Sequence, residues 1–284
     1  MGSSSVGTVA IPKTDDELVR YLAGAAEPAL IGGGTMLMPR IARGEQAPDV
    51  LIDLFRLPGA RRLEVTPTST VVGPMVTYAD LLRHSNTPPL LRRIAGTITG
   101  GPQIRNQGTL GGSACYANPA SDVPTALVAS NAVMEIVGAD ENRLVNAADF
   151  FQGPFQTRLQ TGEALVSITL PPIPHHPAFG YCKIKGSESS WPIVTAAALG
   201  ADDGVLTVVL GAAVTRPVIL TFSAIDQTPF DSATIDDAVR TQNARWWTDE
   251  LADGGYRRRV APVAIARAIS EARRRAPEWN GQHL

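Results

Sequence analysis

Apolar and polar positions along the chain fall into short blocks whose periods predict alternating helices and strands. Thr14 with Glu17 three residues later is a capping-box signature, and Leu18, Leu22 and Ala25 follow at helical spacing, so a helix is predicted over 14–25. "PALIGGGT" (28–35) is a buried strand running into a glycine loop. "MLMPRIARG" (36–44) allows a helical turn or two, limited by Pro39 and stopped by Gly44, and "DVLIDL" (49–54) is a second buried strand. Residues 14–54 therefore read as helix–strand–loop–strand, a small α/β unit.

From Arg62 the pattern changes. "RRLEVTPTSTVVGPMVT" (61–77) predicts two short strands around a Pro-containing turn, and "YADLLRH" (78–84) and "PPLLRRIAGTI" (88–98) predict helices. Arg105 to Pro124, "RNQGTLGGSACYANPASDVP", packs three glycines and two prolines into twenty positions and reads as an irregular loop. "SDVPTALVAS" (121–130) is a helix capped by Ser121 or Asp122, with Pro124 in its first turn. A hairpin with a polar tip (131–151) and a strand (163–172) follow. "PIPHHPAFG" (172–180) is the candidate linker, since its prolines block regular structure. Beyond it lie strands at 179–185, 193–201, 205–214 and 216–224, then helices over Ala233–Trp247 and Gly255–Arg275. The chain divides into residues 1–173, with parts of about 1–57 and 58–173, and residues 174–284.

Two glycine-rich segments carry the candidate chemistry. Gly32, Gly33, Gly34 and Thr35 follow directly on a buried strand, where bare backbone N–H groups can approach an anion. The Gly-Lys-Ser/Thr ending of a P-loop is absent. Gly32 and Gly34 fit the first two places of G-x-G-x-x-G, but Leu37 holds the third. Asp53 does end a strand about twenty residues on, where a ribose-binding acid belongs, so a nicotinamide-binding fold stays open. Thr109, Leu110, Gly111, Gly112 and Ser113 form the second segment, with hydroxyls beside unhindered amides, and Asp122 can accept from a ligand hydroxyl or serve as a helix cap. Segments about seventy-five residues apart that each wrap an anion suit a long diphosphate ligand. No nucleophile–base pair stands nearby, which leaves the chemistry to a cofactor.

Composition narrows the partners. Of 284 residues, 44% are hydrophobic and 18% charged, an ordinary globular balance, and the net charge of -2 gives no basic excess for nucleic acid. Cys115 and Cys182 are too few to hold an iron–sulfur cluster of four cysteines within this chain. The four histidines show no metal spacing, no apolar run reaches membrane-spanning length, and the start lacks a secretory signal, so the expected location is the cytoplasm.

The quoted segments resemble, in order, the FAD-binding medium subunit of molybdenum-containing hydroxylases, the xanthine dehydrogenase and carbon monoxide dehydrogenase family. "LIGGGTMLMP" is similar to the family's A-G-G-T-D/S-L-L-P loop, and "VLIDLFRLPG" to the strand after it. "PQIRNQGTLGGSACYANPASDVPTALVA" resembles P-Q-I-R-N-x-G-T-I-G-G-N-x-A-x-A-x-P-x-x-D-x-P. "GEALVSITLP", "YCKIKGSESSWPIVTAAA" and "GGYRRRVAPVAIARAI" resemble later family segments.

The resemblance implies an α+β fold: two α/β subdomains of the vanillyl-alcohol-oxidase-like (PCMH-type) FAD-binding fold plus a small C-terminal α+β domain. It implies FAD held by Ile31, Gly32, Gly33, Gly34, Thr35, Met36 and Leu37 on one side of the diphosphate, and by Thr109, Leu110, Gly111, Gly112 and Ser113 on the other. Thr99, Asn118, Asp122, Leu165 and Lys183 fall on further cofactor-contacting or flanking positions. It also implies a large partner subunit with a molybdopterin cofactor and a small one with two 2Fe–2S clusters, assembled as a dimer of heterotrimers without nucleic acid or a membrane span. Met36, Ser113 and Gly186 depart from the usual small polar residue, asparagine and arginine. A free-standing flavin- or nicotinamide-dependent oxidoreductase and a cofactor-less scaffold are the alternatives.

Overall fold

Local capping starts the first unit as the sequence predicts. In the computed structural model, which describes residues 7–172, 178–200, 205–223 and 231–275, strand β1 (Thr8–Ala10) leads to helix α1 (Asp15–Gly24). The Thr14 hydroxyl accepts from the Glu17 N–H at 3.2 Å, and Leu18 and Leu22 bury the apolar face. Strand β2 (Pro28–Ile31), helix α2 (Leu37–Ala42) and strand β3 (Val50–Asp53) complete it. The strands form a parallel sheet in the order β1-β3-β2, which puts the glycine turn after β2 at the carboxyl edge of the sheet.

Next come β4 (Leu63–Val65), β5 (Thr70–Val72), α3 (Tyr78–Arg83) and α4 (Pro89–Thr97). The stretch read as an irregular loop is instead helical: α5 (Gly101–Gln107), α6 (Leu110–Tyr116) and the start of α7 (Asp122–Ala129). Thr109 caps α6 by accepting from the Gly112 N–H at 3.0 Å. The glycines there answer to packing, since a Cβ at Gly111 would lie 2.6 Å from Pro74 Cα. Glycine's low helix propensity made a loop the natural reading, and tertiary contacts override it.

The predicted hairpin is β6 (Val133–Val137) with β7 (Arg143–Asn146). After it come α8 (Ala147–Phe150), the small ribbon β8 (Phe151–Gly153) and β9 (Gln156–Thr157), and β10 (Ala164–Leu170). An antiparallel sheet of order β4-β5-β10-β6-β7 results. The centre of the candidate linker, residues 173–177, lies outside the described residues.

Strands β11 (Phe179–Lys185), β12 (Pro192–Gly200), β13 (Val205–Gly211) and β14 (Val218–Ser223) form an antiparallel meander, followed by α9 (Ser232–Thr241) and α10 (Gly254–Arg275). The helix expected to run to Trp247 ends at Thr241, because Asn243 turns left-handed (φ 59°) and Trp246 bridges to Val214 instead. Period-2 alternation makes the meander two-faced. Ala197 and Val209 join the core of α4, α7 and the five-stranded sheet, whereas Ala196, Ala198 and Leu210 face Ile265 and Ala268 of α10.

Candidate functional site

The two glycine segments meet. A Cβ on Gly33 would fall 1.7 Å from the Gln107 carbonyl oxygen, and one on Gly32 would fall 2.9 Å from Thr109 Oγ1. Gly34 has φ +69°, open to glycine at little cost. The turn after β2 thus lies directly on the α5–α6 junction, and only bare backbone allows that approach.

A cavity of about 430 Å³ runs along this seam. Gly32, Gly33, Gly34, Thr35, Met36 and Leu37 line one side. Thr109, Gly111, Gly112 and Ser113 line the other, and Thr99 and Leu165 also reach the wall. Pro28, Ala29 and Leu30 extend the cavity back along β2, and Trp191 closes the side toward the meander. Among the described residues, the wall contains no carboxylate, and Arg40 is its one charged side chain. Such a surface suits a ligand that carries negative charge. The amides are not all free: Leu110 N–H donates to Val76 O at 3.0 Å, and Gly112 N–H is taken by Thr109.

Five of the sequence-assigned residues stand off the wall. Ile31 packs beneath it with Ala29 and Leu51, and Leu110 is fully buried in the main core. Asn118 is used in a turn, its Oδ1 accepting from the Ala120 N–H at 3.0 Å. Asp122 and Lys183 face each other: the Lys183 ammonium donates to Asp122 Oδ2 at 2.8 Å and to Thr97 O at 2.8 Å. Tyr181 also donates to Asp122, which is 1% exposed. Burial holds the Lys183 ammonium below its ordinary value despite the attraction of Asp122, and burial with Asp122 pushes the Tyr181 phenol well up. Ser121 rather than Asp122 caps α7, accepting from the Val123 N–H. This pair therefore stands immediately behind Thr99 and Ser121, which do line the cavity.

Asp53 does not line the cavity; its carboxylate caps the turn after β3, accepting from the Phe55 N–H at 2.8 Å. Among the described residues, no three His, Cys, Asp or Glu side chains are grouped to hold a metal ion, and no helix is long and apolar enough to cross a membrane. Cys115 lines the wall as a neutral thiol, its value pushed up to about 12 by burial.

Sequence reasoning missed Tyr78, Arg40 and Trp191. Arg40 had a signal, since it follows Leu37 and Met36 at i+3 and i+4 and so shares their helix face. Tyr78 had none: its hydroxyl lies 2.5 Å from Ser113 Oγ, a contact across 35 positions.

The family described as "FAD binding domain in molybdopterin dehydrogenase" matches residues 4–173. The chain is 33% identical to the nicotine 6-hydroxylase medium subunit of Paenarthrobacter nicotinovorans, over 60% of this chain and 61% of that protein. It is 34% identical to the glyceraldehyde dehydrogenase medium chain of Sulfolobus acidocaldarius, over 55% of this chain and 56% of that one. In both cases the shared region spans less than two thirds of the relative's length. Identity to the carbon monoxide dehydrogenase medium chain of Afipia carboxidovorans is 29%, over 93% of this chain and 96% of that protein. A chain of the reconstituted CO dehydrogenase from Oligotropha carboxidovorans superimposes with a TM-score of 0.85 at 26% identity, covering 97% of this chain and 100% of that one.

Proposed function

Since the chain belongs to the family of FAD-binding domains of molybdopterin dehydrogenases, we propose that it is the electron-transferring FAD subunit of a molybdenum-containing hydroxylase or dehydrogenase. The observation that carries this reading is the convergence of two glycine segments on a carboxylate-free cavity. Backbone of Gln107 and Pro74 already fills the Cβ positions of Gly33 and Gly111, and side chains crowd those of Gly32, Gly34 and Gly112, so the cradle presents glycine backbone rather than glycine-replacing side chains to a diphosphate. The residues present therefore fit FAD.

In this reading Gly32, Gly33, Gly34, Thr35 and Met36 receive the diphosphate from the β2 side, and Thr109, Gly111, Gly112 and Ser113 from the α6 side. Ile31 and Leu110 set the two segments from beneath. Thr99, Leu165 and Trp191 form the wall toward the meander, backed by the Lys183–Asp122 pair and by the turn at Asn118. Bound FAD supplies the electron-accepting and electron-releasing group; the chain contributes binding, orientation and exclusion of water. Residues 1–173 would form the FAD-binding domain and 174–284 the C-terminal domain.

Electrons would arrive from iron–sulfur clusters in a small subunit, drawn from a molybdopterin cofactor in a large one, and leave to an external acceptor. The two cysteines of this chain support that division of labour, because they cannot hold such clusters themselves. The complex would be a cytoplasmic dimer of heterotrimers.

Reconstitution tests the reading. The purified chain should take up one FAD, release it on acid precipitation, and pass electrons from chemically reduced FAD to an artificial dye. A colourless protein whose unfolding and fluorescence ignore added FAD would overturn it. Substrate-dependent dye reduction by the single chain would move the assignment to a free-standing oxidoreductase.

A further inference from the structure

Tyr78 opens α3, and its position is over-determined. A capping box between Thr77 and Asp80 fixes the first turn, and the Tyr78 N–H donates to Gly108 O at 3.2 Å. Its ring lies so close to the next segment that a Cβ on Gly108 would sit 3.0 Å from the ring edge. The side chain is 2% exposed, yet its residue lines the cavity together with Ser113. Burial holds the phenol well above its ordinary value, so it stays a protonated donor throughout the neutral range.

Two hydroxyls 2.5 Å apart share one hydrogen bond and own two protons. Either hydroxyl can donate by geometry, and an aromatic O–H is by type the stronger donor while an aliphatic hydroxyl oxygen is the stronger acceptor. Once the phenol proton is given to Ser113 Oγ, the serine proton must point elsewhere. Among the described residues the Ser113 hydroxyl makes no other hydrogen bond, and its open side is the cavity.

We propose that Tyr78 is a positioning residue that donates to Ser113 and thereby commits the serine hydroxyl to donate to an oxygen of the FAD diphosphate. The inference rests on the reading of the cavity as an FAD site. It also accounts for serine at a position where the resemblance carries asparagine. An amide brings its own directed N–H donors, whereas a lone hydroxyl needs a neighbour to aim its single proton.

A double-mutant cycle on FAD affinity decides it, with unfolding of each apoprotein measured in parallel. Tyr78→Phe keeps the ring and its packing, and Ser113→Ala removes the relay's second member. Each should weaken FAD binding about tenfold, and the double variant no more than the weaker single one, because both remove the same donor. Ser113→Asn should restore affinity in the Tyr78→Phe background without changing apoprotein stability. Losses that multiply to about a hundredfold, or a Tyr78→Phe protein with unchanged affinity, would overturn the relay. Absence of FAD binding by the wild type would instead sink the proposed function, and the relay with it.

Discussion

Gly33→Ala adds one methyl group at the point where the two halves of the cradle touch. Its Cβ would lie 1.7 Å from the Gln107 carbonyl oxygen, 2.5 Å from the carbonyl carbon and 3.0 Å from Gly108 Cα. All three are backbone atoms, so no rotamer change relieves the clash. Ordinary contact begins at 3.4 Å, and the segments must therefore part by the difference, roughly 1.7 Å. Overpacking of this kind costs about 1–3 kcal/mol of stability.

Ligand binding should suffer separately from stability. Amides displaced by that distance no longer meet a common diphosphate, and each charge-assisted hydrogen bond lost costs about 1.5–3 kcal/mol. FAD affinity should fall about ten- to hundredfold. Gly24→Ala is the control: nothing lies within 4 Å of its Cβ, and it sits in α1. That change should leave FAD affinity alone and stabilise the protein by at most about 1 kcal/mol. Equilibrium unfolding of the apoproteins and fluorescence titration with FAD give the two readings. A Gly33→Ala protein with wild-type stability and wild-type affinity would refute the idea that the seam must close on bare backbone.

Three further changes probe the surroundings. Lys183→Met strips the partner from a carboxylate that is 1% exposed and should cost about 3–5 kcal/mol in denaturant unfolding, much of it recovered by adding Asp122→Asn; an unchanged midpoint counts against the buried pair. Glu163 is held below its ordinary 4.5, first by its hydrogen bond from Arg143, so its contribution is complete above pH 4.5 and lost as pH falls through its folded-state value. Wild-type stability should accordingly drop more steeply below pH 4.5 than that of Arg143→Gln, and parallel curves would exclude this coupling. Arg40 lies on the cavity wall with its side chain 44% exposed, and Glu45, its partner at 3.9 Å, sits closer to Arg43. Arg40→Ala should weaken FAD binding only a few-fold but flatten its salt dependence, and an unaltered salt slope would place the guanidinium away from ligand charge.

What could be read in the chain, and what could not, follows from the range of each interaction. Period and capping are local, so α1, the β6–β7 hairpin, the four-stranded meander and α10 match their predicted spans closely. The Thr109–Ser113 segment was legible as chemistry but not as structure. Its glycines look like loop residues until Pro74 is seen pressed against Gly111 and the Thr109 hydroxyl against Gly112. Tyr78 was invisible for the same reason, because its significance lies wholly in a contact with Ser113. Asp122 was legible as a special acid, though two local roles competed for it. The structure gives the cap to Ser121 and leaves Asp122 to Lys183 and Tyr181, which come from a strand far along the chain.

That last contact changes how the two expected parts of the chain relate. Lys183 and Tyr181 belong to β11, beyond the candidate linker, yet both end on Asp122 at the start of α7. The Lys183 ammonium also holds Thr97 O, two residues before the wall residue Thr99, and the Thr99 hydroxyl in turn donates to Ser190 O in the β11–β12 connection. Nearby, Thr125 of α7 and Thr195 of β12 share a buried hydrogen bond at 2.8 Å, and a Cβ on Gly211 would sit 1.9 Å from the Thr125 hydroxyl. Phe179, Tyr181, Ala197 and Val209 complete the same core as Leu91 and Leu127. The meander is therefore a structural wall of the cavity's Trp191 end, and shifts in β11 or β12 must be felt at Thr99 and Ser121 because close packing leaves no slack between them.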